Sequence, residues 1–201
     1  IDHAAQEIVN AAFTTSGQRC TSVSRVIVLE KQQKKLEAAL KRYAEERKVG
    51  HGLEEETEMG PVSSDEQREK VEHYIGLARN GEGRILTGGN RVSDDGYYFE
   101  PTIVTDVRPD SPLATEEIFG PVLTVIPVKD FEAAVSANND TEYGLTSAIF
   151  TDRMEFAQQF TIRSEAGMVH VNHGTSSEGH LPFGGWKHSG QGAFGIGDTS
   201  K

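Results

Sequence analysis

The stretch Thr15-Ser16-Gly17-Gln18-Arg19-Cys20-Thr21-Ser22 holds the only cysteine in a chain of 201 residues. Ahead of it, Ala4, Ala5, Ile8, Val9, Ala12 and Phe13 recur at helical spacing. Behind it, Val23-Ser24-Arg25-Val26-Ile27-Val28-Leu29 is an apolar, β-branched run that reads as a strand. The cysteine therefore sits where a helix hands over to a strand, beside a glycine that permits a tight backbone. A thiol there can meet a substrate if its thiolate is stabilised, for example by free backbone N–H groups. The ordinary role of an unpaired cysteine is that of a small buried hydrophobe, so the rest of the chain has to decide between the two.

Working outward, Gln32 to Arg47 is charged with a thin apolar stripe, Leu36, Ala39, Leu40 and Tyr43, which predicts an amphipathic helix with one face in water. Glu54-Glu55-Glu56 reads as a solvated loop rather than a cation site, because no cage-forming pattern surrounds it. Ser64-Asp65-Glu66-Gln67 opens and caps a helix that carries Val71, Tyr74, Ile75 and Ala78 and stops near Asn80-Gly81. Strands are expected at Arg84–Thr87, Leu123–Val128, Ser147–Phe150 and Gly167–Asn172, with an extended, proline-broken segment over Phe99–Val107. Helices are expected over Phe131–Asn138 and Arg153–Ile162. Strands and helices alternate, so the fold class is α/β, an open, mostly parallel sheet sandwiched by helices.

Composition bounds the function. The 36% apolar share, taken with 21 glycines, suits a soluble globular domain with a sizeable core. A net charge of −11 argues against nucleic acid and against anionic membrane surfaces as partners. A single cysteine excludes an internal disulfide and fits a reducing, cytoplasmic compartment. No apolar run approaches the roughly eighteen residues of a membrane span. Ile1-Asp2-His3 is neither a signal peptide nor a start methionine and reads as a cut through a longer chain.

Gly17-Gln18-Arg19-Cys20 resembles the cysteine motif of the aldehyde dehydrogenase superfamily, and two further stretches follow in that family's order. They are Glu116-Glu117-Ile118-Phe119-Gly120-Pro121-Val122 and Pro182-Phe183-Gly184-Gly185-Trp186-Lys187-His188-Ser189-Gly190. The resemblance covers residues 1–201 as the thiol-bearing catalytic domain. It implies that the dinucleotide-binding domain, the general-base glutamate and an oxyanion asparagine precede Ile1. The polypeptide by itself is then expected to be inactive, and its parent a homo-dimer or homo-tetramer.

The resemblance makes Cys20 the nucleophile, with its own N–H an oxyanion donor. Glu117 hydrogen-bonds the nicotinamide ribose of NAD or NADP, and Phe119 packs beside the nicotinamide. Phe183 helps wall the substrate tunnel, and Asn172 matches an asparagine that looks structural. The implied reaction is oxidation of an aldehyde to a carboxylate through a thiohemiacetal and a thioester. Relatives that pass the acyl group to coenzyme A or reduce acyl phosphates share the cysteine, and a non-catalytic part in assembly or binding is the other alternative. The polar loop His173–His180, where the family varies its substrate contacts, hints at a polar aldehyde. Gly190-Gln191-Gly192-Ala193-Phe194-Gly195 satisfies G-x-G-x-x-G, but it follows no predicted strand and opens no helix, so the dinucleotide fingerprint fails on context. No metal is expected. His170 and His173 lack a supporting ligand pattern, and strand alternation predicts that they lie on opposite faces. A Cys–His hydrolase is disfavoured, since no protease signature surrounds Cys20.

Overall fold

The computed structural model describes residues 1–190 and the backbone of residues 193–194. Most of the Gly190–Gly195 stretch lies outside the described residues. The apolar periodicity before Cys20 forms α1 (Asp2–Phe13), and the run after it forms β1 (Arg25–Leu29). Then come α2 (Glu30–Glu45) and α3 (Asp65–Leu77). Ser64 caps α3, its Oγ accepting from Gln67 N at 3.2 Å. After a wider turn over Ala78–Glu82, with Gly81 at φ 105 inside it, β2 (Arg84–Thr87) leads to β3 (Thr102–Thr105), which begins just past Pro101.

A short α4 (Pro112–Thr115) precedes β4 (Val122–Val128). The order of the main sheet is β1-β4-β3-β2. β4 runs parallel to both β1 and β3, while β2 is antiparallel at the edge.

Side-chain alternation sorts the core into two layers. Val26, Val28, Ile103, Leu123 and Val125 face α1 and α2. Val104, Val122, Ile126 and Val128 face the other way, onto Val71, Tyr74 and Ile75 of α3. β4 is therefore covered on both faces, which is why its sequence is a nearly unbroken apolar run rather than an alternating one.

The second half is built on α5 (Phe131–Asn139), whose first turn is capped by Asp130 Oδ1 accepting from Ala133 N at 2.8 Å. β5 (Tyr143–Gly144) and β6 (Thr146–Ile149) follow, then α6 (Met154–Arg163) and β7 (Met168–Val171). β6 and β7 pair parallel, as a strand–helix–strand unit requires. Three two-residue strands close the described chain: β8 (Phe183–Gly184), β9 (Trp186–Lys187) and β10 (Ala193–Phe194). β9 pairs with β5 and β10 with β8, both antiparallel. Among the described residues no helix is long and apolar enough to cross a membrane.

Candidate active site

The register of the parallel sheet assembles the site. Arg25 of β1 pairs with Thr124 of β4. Cys20 lies five residues ahead of Arg25 (25 − 20), and Phe119 lies five ahead of Thr124 (124 − 119). Two loops far apart in sequence therefore reach the same end of neighbouring strands at the same level.

They touch. Gly17, at φ 70, lies so close to the second loop that a Cβ built on it falls 2.0 Å from the carbonyl oxygen of Gly120. Only glycine fits there, for its conformation and for its missing side chain. Cys20 itself is exposed, in a turn closed by Ser22 N donating to Arg19 O at 2.8 Å. As the second residue of that turn, Cys20 has an N–H that donates to no described group. An exposed thiol beside a free backbone donor is the arrangement a developing oxyanion needs.

The second loop divides its labour. Tyr74 Oη donates to Glu116 Oε2 at 2.6 Å, and burial together with that carboxylate pushes the phenol well above its ordinary pKa. Glu116 is thus an anchor. The side chain of Glu117 is exposed and has no hydrogen bond or ion pair among the described residues. Between them and the sheet, Ile118 is buried and Phe119 sits at φ 56, a strained left-handed value for a side chain of its size, with 36% of its surface exposed. Gln67 Nε2 holds this kink by donating to the carbonyls of Ile118 and Phe119, both at 3.0 Å.

The first loop rests on the same support. Ser16 Oγ donates to Gly60 O at 2.7 Å. Gln18 Nε2 donates to Pro61 O at 3.3 Å, while its Oε1 accepts from Ser63 N at 2.8 Å.

A third segment meets the cysteine loop at Thr21. The buried Thr175 donates its hydroxyl to the carbonyl of the buried Thr21, and Gly174 N donates to Glu7 Oε2 at 3.0 Å. The polar loop that follows β7 is therefore fastened next to Cys20. Asn172 does structural work, its side chain exchanging two 2.8 Å hydrogen bonds with the backbone of Thr151.

The structure thus brings the loop that carries Cys20 and the loop that carries Glu117 and Phe119 into contact at Gly17 and Gly120. Phe183 is half-buried in β8 on the 182–190 segment, and it takes part in none of the bonds that tie the junction together. Much of that segment clamps other elements. Lys187 Nζ donates to the carbonyls of Asn139 (2.6 Å) and Thr141 (3.0 Å), and Ser189 Oγ accepts from Gly144 N at 2.9 Å.

One expectation from the sequence is corrected. His170 and His173 do not lie on opposite faces: their rings stack with centroids 6.1 Å apart. Asn172, at φ 54, turns the chain out of the strand after Val171, so alternation stops short of His173. Among the described residues no third histidine, cysteine or carboxylate joins them in a group able to hold a metal ion.

Comparison with known proteins now decides the family. The model of the aldehyde dehydrogenase family matches residues 1–200. The chain belongs to the aldehyde dehydrogenase family. It is 42% identical over 192 residues to an α-ketoglutarate semialdehyde dehydrogenase of Haloferax volcanii, a match covering 92% of this chain and 39% of that protein. A 1-pyrroline-5-carboxylate dehydrogenase from Thermus, solved with bound NAD, superposes with a TM-score of 0.89 at 38% identity, over 92% of this chain and 36% of that one. For a Staphylococcus aureus betaine aldehyde dehydrogenase in complex with NAD+ the figures are 0.92 and 34%, over 96% and 39%. The chain spans about two fifths of the length of the curated relatives it matches.

Proposed function

We propose that the chain is the thiol-bearing catalytic domain of an NAD(P)-dependent aldehyde dehydrogenase that oxidises an aldehyde to a carboxylate. The observation that supports this reading is the contact between Gly17 and Gly120, which joins the loop of the exposed Cys20 to the loop that carries Glu117 and the exposed Phe119.

Cys20 Sγ, as thiolate, attacks the carbonyl carbon; the C–S bond forms as the π pair moves onto oxygen. The Cys20 N–H holds that oxyanion. A bound nicotinamide supplies the hydride acceptor. Glu117 suits a ribose because an unengaged carboxylate accepts from two hydroxyls at once, and its neighbour Glu116 is already committed to Tyr74. Phe119, displayed on its kink, offers a flat apolar surface for a ring. Phe183 contributes to the wall of the substrate tunnel. Release needs water to cleave the thioester on Cys20, yielding the carboxylate and the free thiol, with a general base. By resemblance that base is a glutamate of a preceding domain, which also carries the adenosine end of NAD or NADP. The enzyme is read as a cytoplasmic homo-dimer or homo-tetramer.

The test is NAD(P)H production by the full-length enzyme over a panel of aldehydes, with and without Cys20→Ala. The variant is expected to be inactive with every aldehyde that the wild type oxidises. Turnover that survives Cys20→Ala overturns the reading.

A further inference from the structure

Eleven arginines occur in the chain. Ten of them, from Arg25 to Arg163, donate a side-chain hydrogen bond to a carboxylate, an amide or a backbone carbonyl. Arg19 is the exception: among the described residues its guanidinium makes no hydrogen bond and no ion pair. This is not for want of partners, since the chain carries 31 carboxylate side chains.

Nor is Arg19 simply waving in water. Its side chain is half-buried, and Nε is shut off from solvent with no acceptor. Arg47 and Arg91 also have an orphaned Nε, but their terminal nitrogens are bonded. Buried donors without acceptors are few in folded proteins and each calls for an explanation.

The location supplies one. Arg19 immediately precedes Cys20, and its carbonyl closes the turn that displays the thiol. Ser22 Oγ, on the far side of the same turn, is buried and unpartnered too. Two of the unsatisfied polar side chains among the described residues therefore flank the nucleophile. The hydroxyl-rich loop Thr175-Ser176-Ser177 is fastened to Thr21 beside them.

We propose that Arg19 binds the anionic group of the substrate, which makes the substrate class aldehydes that carry a carboxylate. The proposal rests on the reading of Cys20 as the nucleophile. A guanidinium is the side chain whose planar fork matches a carboxylate with two parallel bonds. Set one residue from the thiol, it fixes the acid end of a short semialdehyde while the aldehyde carbon meets Sγ. An acidic protein of net charge −11 repels such substrates at long range, so a local cation is what would admit them.

The experiment compares kcat/KM of the full-length enzyme for succinic semialdehyde against butanal, and for glutaric semialdehyde against pentanal. Wild type, Arg19→Gln and Arg19→Lys are measured at several ionic strengths. The wild type is expected to favour at least one semialdehyde over its neutral counterpart by about tenfold or more, the effect of one charge-assisted pair. Arg19→Gln is expected to remove that preference through KM, and Arg19→Lys to keep part of it, because charge survives while the fork is lost. Succinate and glutarate are expected to compete with substrate in the wild type and more weakly in Arg19→Gln. If the wild type oxidises both members of each pair equally well, or if Arg19→Gln slows all four alike, the anion site is wrong while the dehydrogenase reading stands. If no aldehyde is oxidised, both fall.

Discussion

Replacing Gly17 by alanine tests whether the junction is what makes the thiol productive. Two costs can be worked from the structure. Gly17 has φ 70, and a residue with a Cβ in that left-handed region pays roughly 1–2 kcal/mol. The new methyl would lie 2.0 Å from Gly120 O, whereas real Cβ contacts hardly ever fall below 3.0 Å, so the two loops must part by at least 1.0 Å (3.0 − 2.0). Both partners are backbone, so no side-chain rotation relieves the clash. A misplacement of about 1 Å between reacting groups can cost roughly 10²-fold in rate. Gly17→Ala in the full-length enzyme is therefore expected to remain folded and to lose about 10²-fold in kcat, with Cys20 still alkylated by iodoacetamide. The control is Gly76→Ala in α3, where an added Cβ meets nothing within 4 Å. Steady-state NAD(P)H production at saturating substrates is the assay. A Gly17→Ala enzyme within about threefold of wild type would show that the spacing of the two loops does not govern the chemistry.

Gln67→Ala removes both donors that hold the Ile118–Phe119 kink and is expected to raise KM for the nicotinamide nucleotide about tenfold, given roughly 0.5–1.5 kcal/mol per hydrogen bond. Gln67→Glu is expected to do worse, since an ionised carboxylate faces two carbonyls with no proton to donate; nucleotide titrations that leave both variants at wild-type KM refute the brace. His170 gives a pH effect. Burial first, then the neighbouring His173, lowers its pKa below 6.5, with Glu178 opposing. The unfolded chain thus binds the proton more readily, so stability is full above 6.5 and declines as pH falls through the lowered folded value. Thermal melts between about pH 7.5 and 5 are expected to fall less steeply for His170→Leu, and identical slopes would refute this.

Most regular elements were legible because a periodic apolar face is a local signal. The stripe of α1, the β-branched run of β1 and the cap at Ser64 each lie within a dozen residues. The pairing of Arg25 with Thr124 is not written in any local pattern, so only the family resemblance joined Cys20 to Glu117 before the register was known. Strands β5, β8, β9 and β10 have two residues each, too short for a period to show. Glu37 illustrates the same limit. It falls in the polar pattern of α2, yet it is buried, because Thr105 and Gln33 donate to one carboxylate oxygen and Arg84 to the other. The histidine pair failed for a definite reason. Alternation holds only while φ stays extended, and Asn172 at φ 54 leaves that region one residue before His173. Gln18 and Gln67 were visible as residues but not as braces, since their partners lie more than forty residues away.

Those two glutamines explain how an exposed site can be held in place. Loops on a surface are ordinarily the mobile part of a fold. Here Ser16 and Gln18 fix the cysteine loop to residues 60–63, and Gln67, four residues on, fixes the Phe119 loop. Val71, one turn further along α3, lies where any side chain at Gly120 would go. Both loops thus take their position from one continuous stretch, residues 60–71, which runs into a helix whose inner face, Val71, Tyr74 and Ile75, is buried in the core. The cysteine loop is tied to the segment that leads into α3, and the Phe119 loop to the first turn of α3 itself. A change at Gly17, Gln18 or Gln67 moves one loop against the other. For chemistry that depends on the distance between a thiol-bound carbon and a hydride acceptor, such a change is the damaging one. Substitutions that loosen the core face of α3 are accordingly expected to lower stability before they lower kcat/KM, and substitutions at the braces to lower kcat/KM first.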